Sequence, residues 1–246
     1  MEVSDAIVSF FLRNIVAPRI YDMHNPGFIV SRFSDKEHEA YKREILWPEG
    51  LLSEIEARFV KEYGDNGERA LYRAGKNFGY VYAGNSHFPR LSESNHAEIK
   101  KFSHMLILLI SALWANQSKE LLIDTNARKL KLRFWNYVLC SKNGIGHLLG
   151  DGGIAGIWAY IMQDDEIEGV QAACQGRGGQ FCEFYAAPKA QLRKEGFEFY
   201  ESKIYARDPA AEKFQAEINK IRQMTYNKTI CLAYPHRKQW GITARP

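Results

Sequence analysis

Long apolar runs are missing from this 246-residue chain. The longest, Met105 to Ala115, is interrupted by Ser111 and falls well short of the roughly 20 residues that cross a bilayer as a helix. It reads as a buried core helix, and no membrane span is expected. Cysteine is scarce: Cys140, Cys174, Cys182 and Cys231 are too few and too far apart for the disulfide framework of a small secreted domain. The first residues also lack a cleavable secretory pattern, so a reducing, cytoplasmic setting is expected. A surplus of one charge is missing too. The 33 basic and 29 acidic residues leave a net charge of only +4, spread along the chain, which gives no footprint for nucleic acid. Catalytic signatures are absent in turn. There is no Gly-Lys-Ser/Thr ending to a glycine-rich loop, no dinucleotide fingerprint, no Cys-x-x-Cys pair and no evident Ser/His/Asp arrangement. These absences favour a binding protein over an enzyme.

What is present is enough apolar residue, 46% with 25% charged, to build a core of ordinary size. Ala6 to Val16, with Phe10, Phe11 and Leu12, reads as an amphipathic helix that docks on its own domain or on a partner copy. Pro18 and Asn25-Pro26-Gly27 then interrupt regular structure, and Ile20 to Tyr41 reads as an irregular or extended arm. Leu51, Leu52, Ile55, Phe59 and Val60 recur at helical spacing up to Tyr63-Gly64, predicting a helix with its apolar stripe inward. A second helix carries Ala70, Leu71, Ala74, Phe78 and Val81, and Gly75 and Gly79 on one face let a neighbouring backbone come close. Ser94 or Asn95 caps a third helix running from about His96 to Asn116.

Alternation over Lys129 to Leu139 predicts a strand. The glycines between Gly144 and Gly156 predict a flexible turn leading into a buried helix at Ile157 to Met162. Strands follow around Ile167 to Ala173 and Gln180 to Ala186, closed by Pro188, and helical spacing returns over 189–225. Asp164, Asp165, Glu166 and Glu168 read as a solvated acidic turn between helix and strand. The order defines an α+β fold, with helices packed on a small antiparallel sheet. It divides into an N-terminal helix and arm (1–44), a ligand-binding domain (45–188) and a C-terminal helical extension and tail (189–246).

The most informative stretch runs from Cys174 to Phe184. Two thiols flank a turn containing Gly176, Gly178 and Gly179, and the second thiol opens an aromatic strand, so both sulfurs belong to one hairpin. Such a pair is half of a metal site, a redox pair, or two small apolar core residues.

The helix segment Gly67 to Gly79, then Gly152-Gly153-Ile154-Ala155-Gly156, then Cys174 and Cys182 with Phe184, together resemble the 4-vinyl reductase domain, or hydrocarbon-binding, family over roughly 45–188. That resemblance implies a Bet-three-like fold related to small subunits of a vesicle-tethering complex, dimerisation, and an enclosed apolar ligand pocket. It also implies a structural zinc held by the hairpin cysteines, a glutamate three residues before the first, and an upstream cysteine. In this chain Cys174 and Cys182 match, Gln171 stands in place of the glutamate, and His147 is the approximate upstream counterpart. The implied metal set is therefore Cys174, Cys182, His147 and Asp151, with Cys140 or water as other candidates for the fourth place. In aromatic-responsive sensors of this family a histidine and a tryptophan hold the ligand's hydroxyl. Trp135 matches that tryptophan by position, and His87 or His104 is the candidate histidine. Trp114, Tyr137 and Trp158 complete the expected pocket, although each also reads simply as core.

The expected function is non-catalytic binding or sensing of a small hydrophobic or aromatic molecule by a homodimer. A scaffold that binds a partner chain through its terminal arms, by way of Phe10, Phe11, Phe28, Phe33, Tyr234 and Trp240, is the first alternative. A tetrapyrrole-pathway enzyme or accessory protein is the second.

Overall fold

The computed structural model describes residues 7–8, 10–16, 21–22, 29–31, 42–44, 49–115, 117–137 and 147–201. A π-helix spans Leu12–Val16. Three short strands, β1 (Tyr21–Asp22), β2 (Ile29–Ser31) and β3 (Lys42–Glu44), form an antiparallel meander, the first two within the stretch Ile20 to Tyr41 read from the sequence as an irregular or extended arm. The body then runs α1 (Glu49–Tyr63), α2 (Asp65–Asn85), α3 (His96–Trp114), β4 (Gln117–Asp124), β5 (Lys129–Trp135), α4 (Leu148–Met162), β6 (Ile167–Ala173), β7 (Cys182–Pro188) and α5 (Lys189–Lys194). The result is an α+β fold. Its main sheet is antiparallel in the order β4-β5-β7-β6.

The sheet has two distinct faces, set by the period-two alternation of β5 and its pairing with β7. Leu130, Leu132 and Phe134 pair with Ala186, Phe184 and Cys182 on one face, and together with α3 and α4 they form the main core. On the other face Lys131 and Arg133 bracket Glu183, with N–O distances of 2.8 and 2.5 Å. There Tyr185 and Val170 pack with Leu192 of α5, and Phe197 and Phe199 close over them. Helical spacing predicted helix at Phe197 to Tyr200, but the chain is irregular there: Phe197 and Phe199 pack on Tyr185 and Leu192, while Tyr200 meets Tyr72 and Glu68.

α3 starts with a reciprocal cap. Asn95 Oδ1 accepts the Glu98 amide at 3.0 Å, and Glu98 Oε2 accepts the Asn95 amide at 3.3 Å. Away from the sheet, Leu108 and Leu109 of α3 receive Val8 and Leu12, so the N-terminal helix docks on its own domain while Phe10 and Phe11 remain exposed.

The glycine-rich segment is the largest departure from expectation. Gly150, Gly152, Gly153 and Gly156 lie inside α4, not in a turn. Their low helix propensity is overridden because α2 packs directly on them. A Cβ built on Gly152 would sit 2.1 Å from the Tyr72 carbonyl oxygen, and one on Gly156 would sit 2.0 Å from that of Lys76. In return, a Cβ built on Gly75 or Gly79 of α2 would sit 2.2 or 2.1 Å from the Leu149 or Gly153 carbonyl oxygen. The close approach expected at Gly75 and Gly79 is therefore real, and α4 is the neighbour.

This packing also reverses the helical stripes. Leu51, Ile55 and Phe59 of α1, like Ala70, Ala74, Phe78 and Val81 of α2, point outward. The buried faces carry Ser53 and Glu56 on α1, and Leu71, Tyr72, Gly75, Lys76 and Gly79 on α2. Short side chains and polar contacts, not the apolar stripe, seat both helices.

Candidate functional site

Two arrangements in the body carry chemistry: a polar cluster at the start of α4, and an apolar cavity between α3, β5 and α4.

The polar cluster begins with Glu56, which is fully buried. Its Oε1 accepts the Leu149 amide and its Oε2 accepts His147 Nδ1–H, both at 2.9 Å. A carboxylate from α1 thus caps the N-terminus of α4, where unpaired amides and the helix dipole favour negative charge. Gln171 Oε1 accepts the His147 amide at 3.2 Å and the Arg177 guanidinium at 3.0 Å. Asp151, one turn into α4, is buried, and desolvation pushes its carboxyl well above the usual carboxylate range. Arg177 opposes that shift, whereas Glu56 and Cys174 add to it. Among the described residues, His147 Nε2 and Asp151 Oδ1 have no hydrogen-bond partner.

The hairpin itself forms as the sequence implied. Cys174 follows β6 directly, a short 3₁₀ turn spans Gln175–Arg177, Gly178 takes φ of 90°, and Cys182 opens β7. Both cysteines are buried and outside any disulfide, and Cys182 Sγ accepts the Gln175 amide at 3.5 Å. His147, Asp151, Cys174 and Cys182 therefore belong to one end of the domain, and their donor types suit zinc. Among the described residues, however, no three His, Cys, Asp or Glu side chains are arranged to hold a metal ion. As placed, the set does not form a metal site. Cys140 lies outside the described residues.

The apolar cavity is built from three repeating patterns. α3 contributes Ser103, Leu106, Ile107 and Ile110, and α4 contributes Ile154, Ile157, Trp158 and Ile161, each set at i, i+3, i+4, i+7 along one helix face. β5 contributes Leu130 and Leu132, two apart on the core face. The space between them is about 30 Å³ and is partly open to the surface. Among the described residues, Trp158 is the one pocket aromatic from the sequence reading that lines it, and its indole N–H is already donated to the Arg128 carbonyl at 2.9 Å. Ser103 is different: it is 3% exposed, and its hydroxyl has no partner among the described residues. An unpaired buried hydroxyl costs about 1–3 kcal/mol. A water could not relieve that cost well, since it needs two to four polar partners and the other walls are hydrocarbon apart from the committed indole.

The remaining pocket candidates lie elsewhere. Tyr137 is buried between Phe134, Phe184 and His147, with ring centroids 5.3, 5.5 and 5.9 Å away, and so links the core to the polar cluster. Trp135 points to the opposite side of the strand and packs on Phe181 at 6.1 Å. His104 is part-exposed and shares a 2.7 Å contact with Glu120. Trp114 ends α3, and its side chain lies outside what is described. Sequence reasoning missed Ser103. Its only signal was a hydroxyl on the inward stripe of an apolar helix.

A third group also departs from expectation. Glu168, read as part of a solvated turn, is fully buried on β6. It pairs with Lys76 Nζ at 2.9 Å and accepts the Tyr72 hydroxyl at 2.7 Å. Tyr72 accepts the Gly169 amide at 2.7 Å in turn. Burial lowers the Lys76 pKa against the pull of Glu168, and burial raises that of Tyr72 with Glu168 adding to it. Asp164, by contrast, meets Arg128 near the surface at 2.7 Å.

Four antiparallel strands with helices on the core face place the chain among α+β domains, and comparison with solved structures agrees. The chain is similar to the phenol-responsive sensory domain of the transcription activator PoxR, solved with phenol, at a TM-score of 0.55 and 14% identity. That match covers 85% of this chain and all of the sensory domain, and it establishes a shared fold. A trafficking protein particle complex subunit 3 from Naegleria fowleri, covalently bound to palmitic acid, aligns over 57% of this chain and 92% of its own at 14% identity. Its TM-score of 0.43 does not establish a common fold. No protein-family model matches the chain. No curated protein matches it either.

Proposed function

We propose that this protein binds a small apolar molecule in the cavity between α3, β5 and α4, as a sensing or carrier module and not as a catalyst. The observation that carries this reading is the cavity: hydrocarbon walls from three elements surround one buried hydroxyl without a partner. Small-molecule sites have this composition, mostly apolar with few polar groups. The space exceeds what one water needs but is well below the roughly 150 Å³ of an apolar cavity that takes up benzene. A ring-sized ligand therefore enters by moving side chains of α3 and α4 apart, and a tetrapyrrole is far too large for the site. The fold shared with a phenol-responsive domain makes phenol a rational first probe.

The test is ligand-dependent thermal stability. Phenol and toluene should raise Tm with saturable concentration dependence, because a ligand that binds only the folded state stabilises it by mass action. Ile157→Phe, which fills the cavity, should remove the shift. No shift with either probe, or an equal shift in the filled variant, sinks the reading.

A structural zinc at the cysteine hairpin is a separate proposal, on which the cavity reading does not depend. Elemental analysis of purified protein, with Cys174→Ser and Cys182→Ser for comparison, measures it directly. Homodimerisation is likewise a proposal, checked by sedimentation. The scaffold alternative rests mostly on residues outside the described set, Phe28, Phe33, Tyr234 and Trp240 among them.

A further inference from the structure

We infer that Ser103 selects the ligand: the molecule bound is uncharged and carries one hydroxyl or carbonyl, which pairs with the Ser103 hydroxyl while its hydrocarbon body fills the rest of the cavity. This rests on the binding reading above and narrows it. Ser103 Oγ is the polar group that the cavity leaves unsatisfied, since the Trp158 N–H is committed to the Arg128 carbonyl. A hydroxyl both donates and accepts, so it serves an alcohol or a ketone equally. Among the described residues, no charged side chain lines the cavity. A carboxylate or ammonium would be desolvated without a counter-charge and is excluded. The walls are almost entirely aliphatic, so nothing in them demands an aromatic ring, and saturated compounds of the same shape fit the same chemistry.

A buried hydroxyl that meets no partner weakens the fold at that position, and on the stripe Ser103, Leu106, Ile107, Ile110 an alanine would pack without that penalty. Ser103→Ala is therefore expected to fold at least as stably as the unaltered protein, which makes it a clean probe.

The experiment measures binding of cyclohexanol, methylcyclohexane and cyclohexanecarboxylate to the full chain and to Ser103→Ala and Ser103→Thr, by NMR shift titration. Cyclohexanol should bind about 10-fold more tightly than methylcyclohexane. That preference should vanish in Ser103→Ala and return in Ser103→Thr, and the carboxylate should not bind. If the two uncharged compounds bind alike and Ser103→Ala changes nothing, Ser103 selects nothing and this inference fails while the cavity reading stands. If the carboxylate binds as well as the alcohol, the claim of neutrality fails. If none of the three binds, both readings fall together.

Discussion

The two flanks of α4 are built on opposite principles. Toward α2, glycines bring backbone against backbone, with carbonyl oxygens where a Cβ would stand, and the side chains that pass this seam are the fully buried Tyr72 and Lys76 reaching Glu168 on β6. Toward α3, bulky Ile154, Ile157, Trp158 and Ile161 leave space unfilled, and one hydroxyl is the unsatisfied group there. One flank is closed, with Tyr72, Lys76 and Glu168 committed to one another; the other is loosely filled and has bonding capacity to spare. A helix pinned on one side and slack on the other lets a cavity open without the domain coming apart. That is a sound arrangement for a binding module whose stability must not depend on its ligand.

The contrast can be broken most severely at the ion pair. Lys76→Met leaves Glu168 buried without its cation and should lower unfolding stability by about 3–5 kcal/mol in urea titrations. Lys76→Met with Glu168→Leu should recover most of it, because no charge is then stranded. Next in size is Gly156→Ala. Its methyl meets a carbonyl oxygen at 2.0 Å, and the cost should be about 3 kcal/mol despite the gain in helix propensity. One position along, Ile157→Phe adds more atoms but places them in the cavity, and should cost less than about 1.5 kcal/mol by the same measurement. Equal losses at 156 and 157 would erase the distinction between the flanks. The smallest effect is expected at Gly153→Ala, where the nearest atom to a built Cβ is 3.9 Å away. Helix propensity should then stabilise the fold by about 0.5–1 kcal/mol, read as a small rise in Tm.

Much of the frame was legible in residue order. The periodicity of α1 to α3, the cap at Asn95, the alternation of β5 and the turn between Cys174 and Cys182 are local signals, and local hydrogen bonding answers to them. The reading failed where a partner distant in sequence decides. Gly150 to Gly156 carry a turn's composition, but α2, some 75 residues earlier, makes them a helix. β4 has too mixed a pattern to stand out, and it forms because β5 pairs with it. Glu168 stands in an acidic run that looks solvated, yet Lys76 draws it inside.

The candidate site was less legible than the fold. Trp158 was named and lines the cavity, whereas Trp135 and His104 face other surroundings. An aromatic residue stands out in a sequence wherever it points, but a serine on a helix does not.

By itself, the amino-acid sequence determined that this is an α+β domain, where most of its helices run, and where its cysteine hairpin turns. Those features follow from the 3.6- and 2-residue periods and from the φ angles that glycine permits. Only the tertiary structure decided which helix faces meet, which charges are buried in pairs, and which hydroxyl is left without a partner inside an apolar space. These depend on contacts between residues tens of positions apart, and no local pattern encodes them.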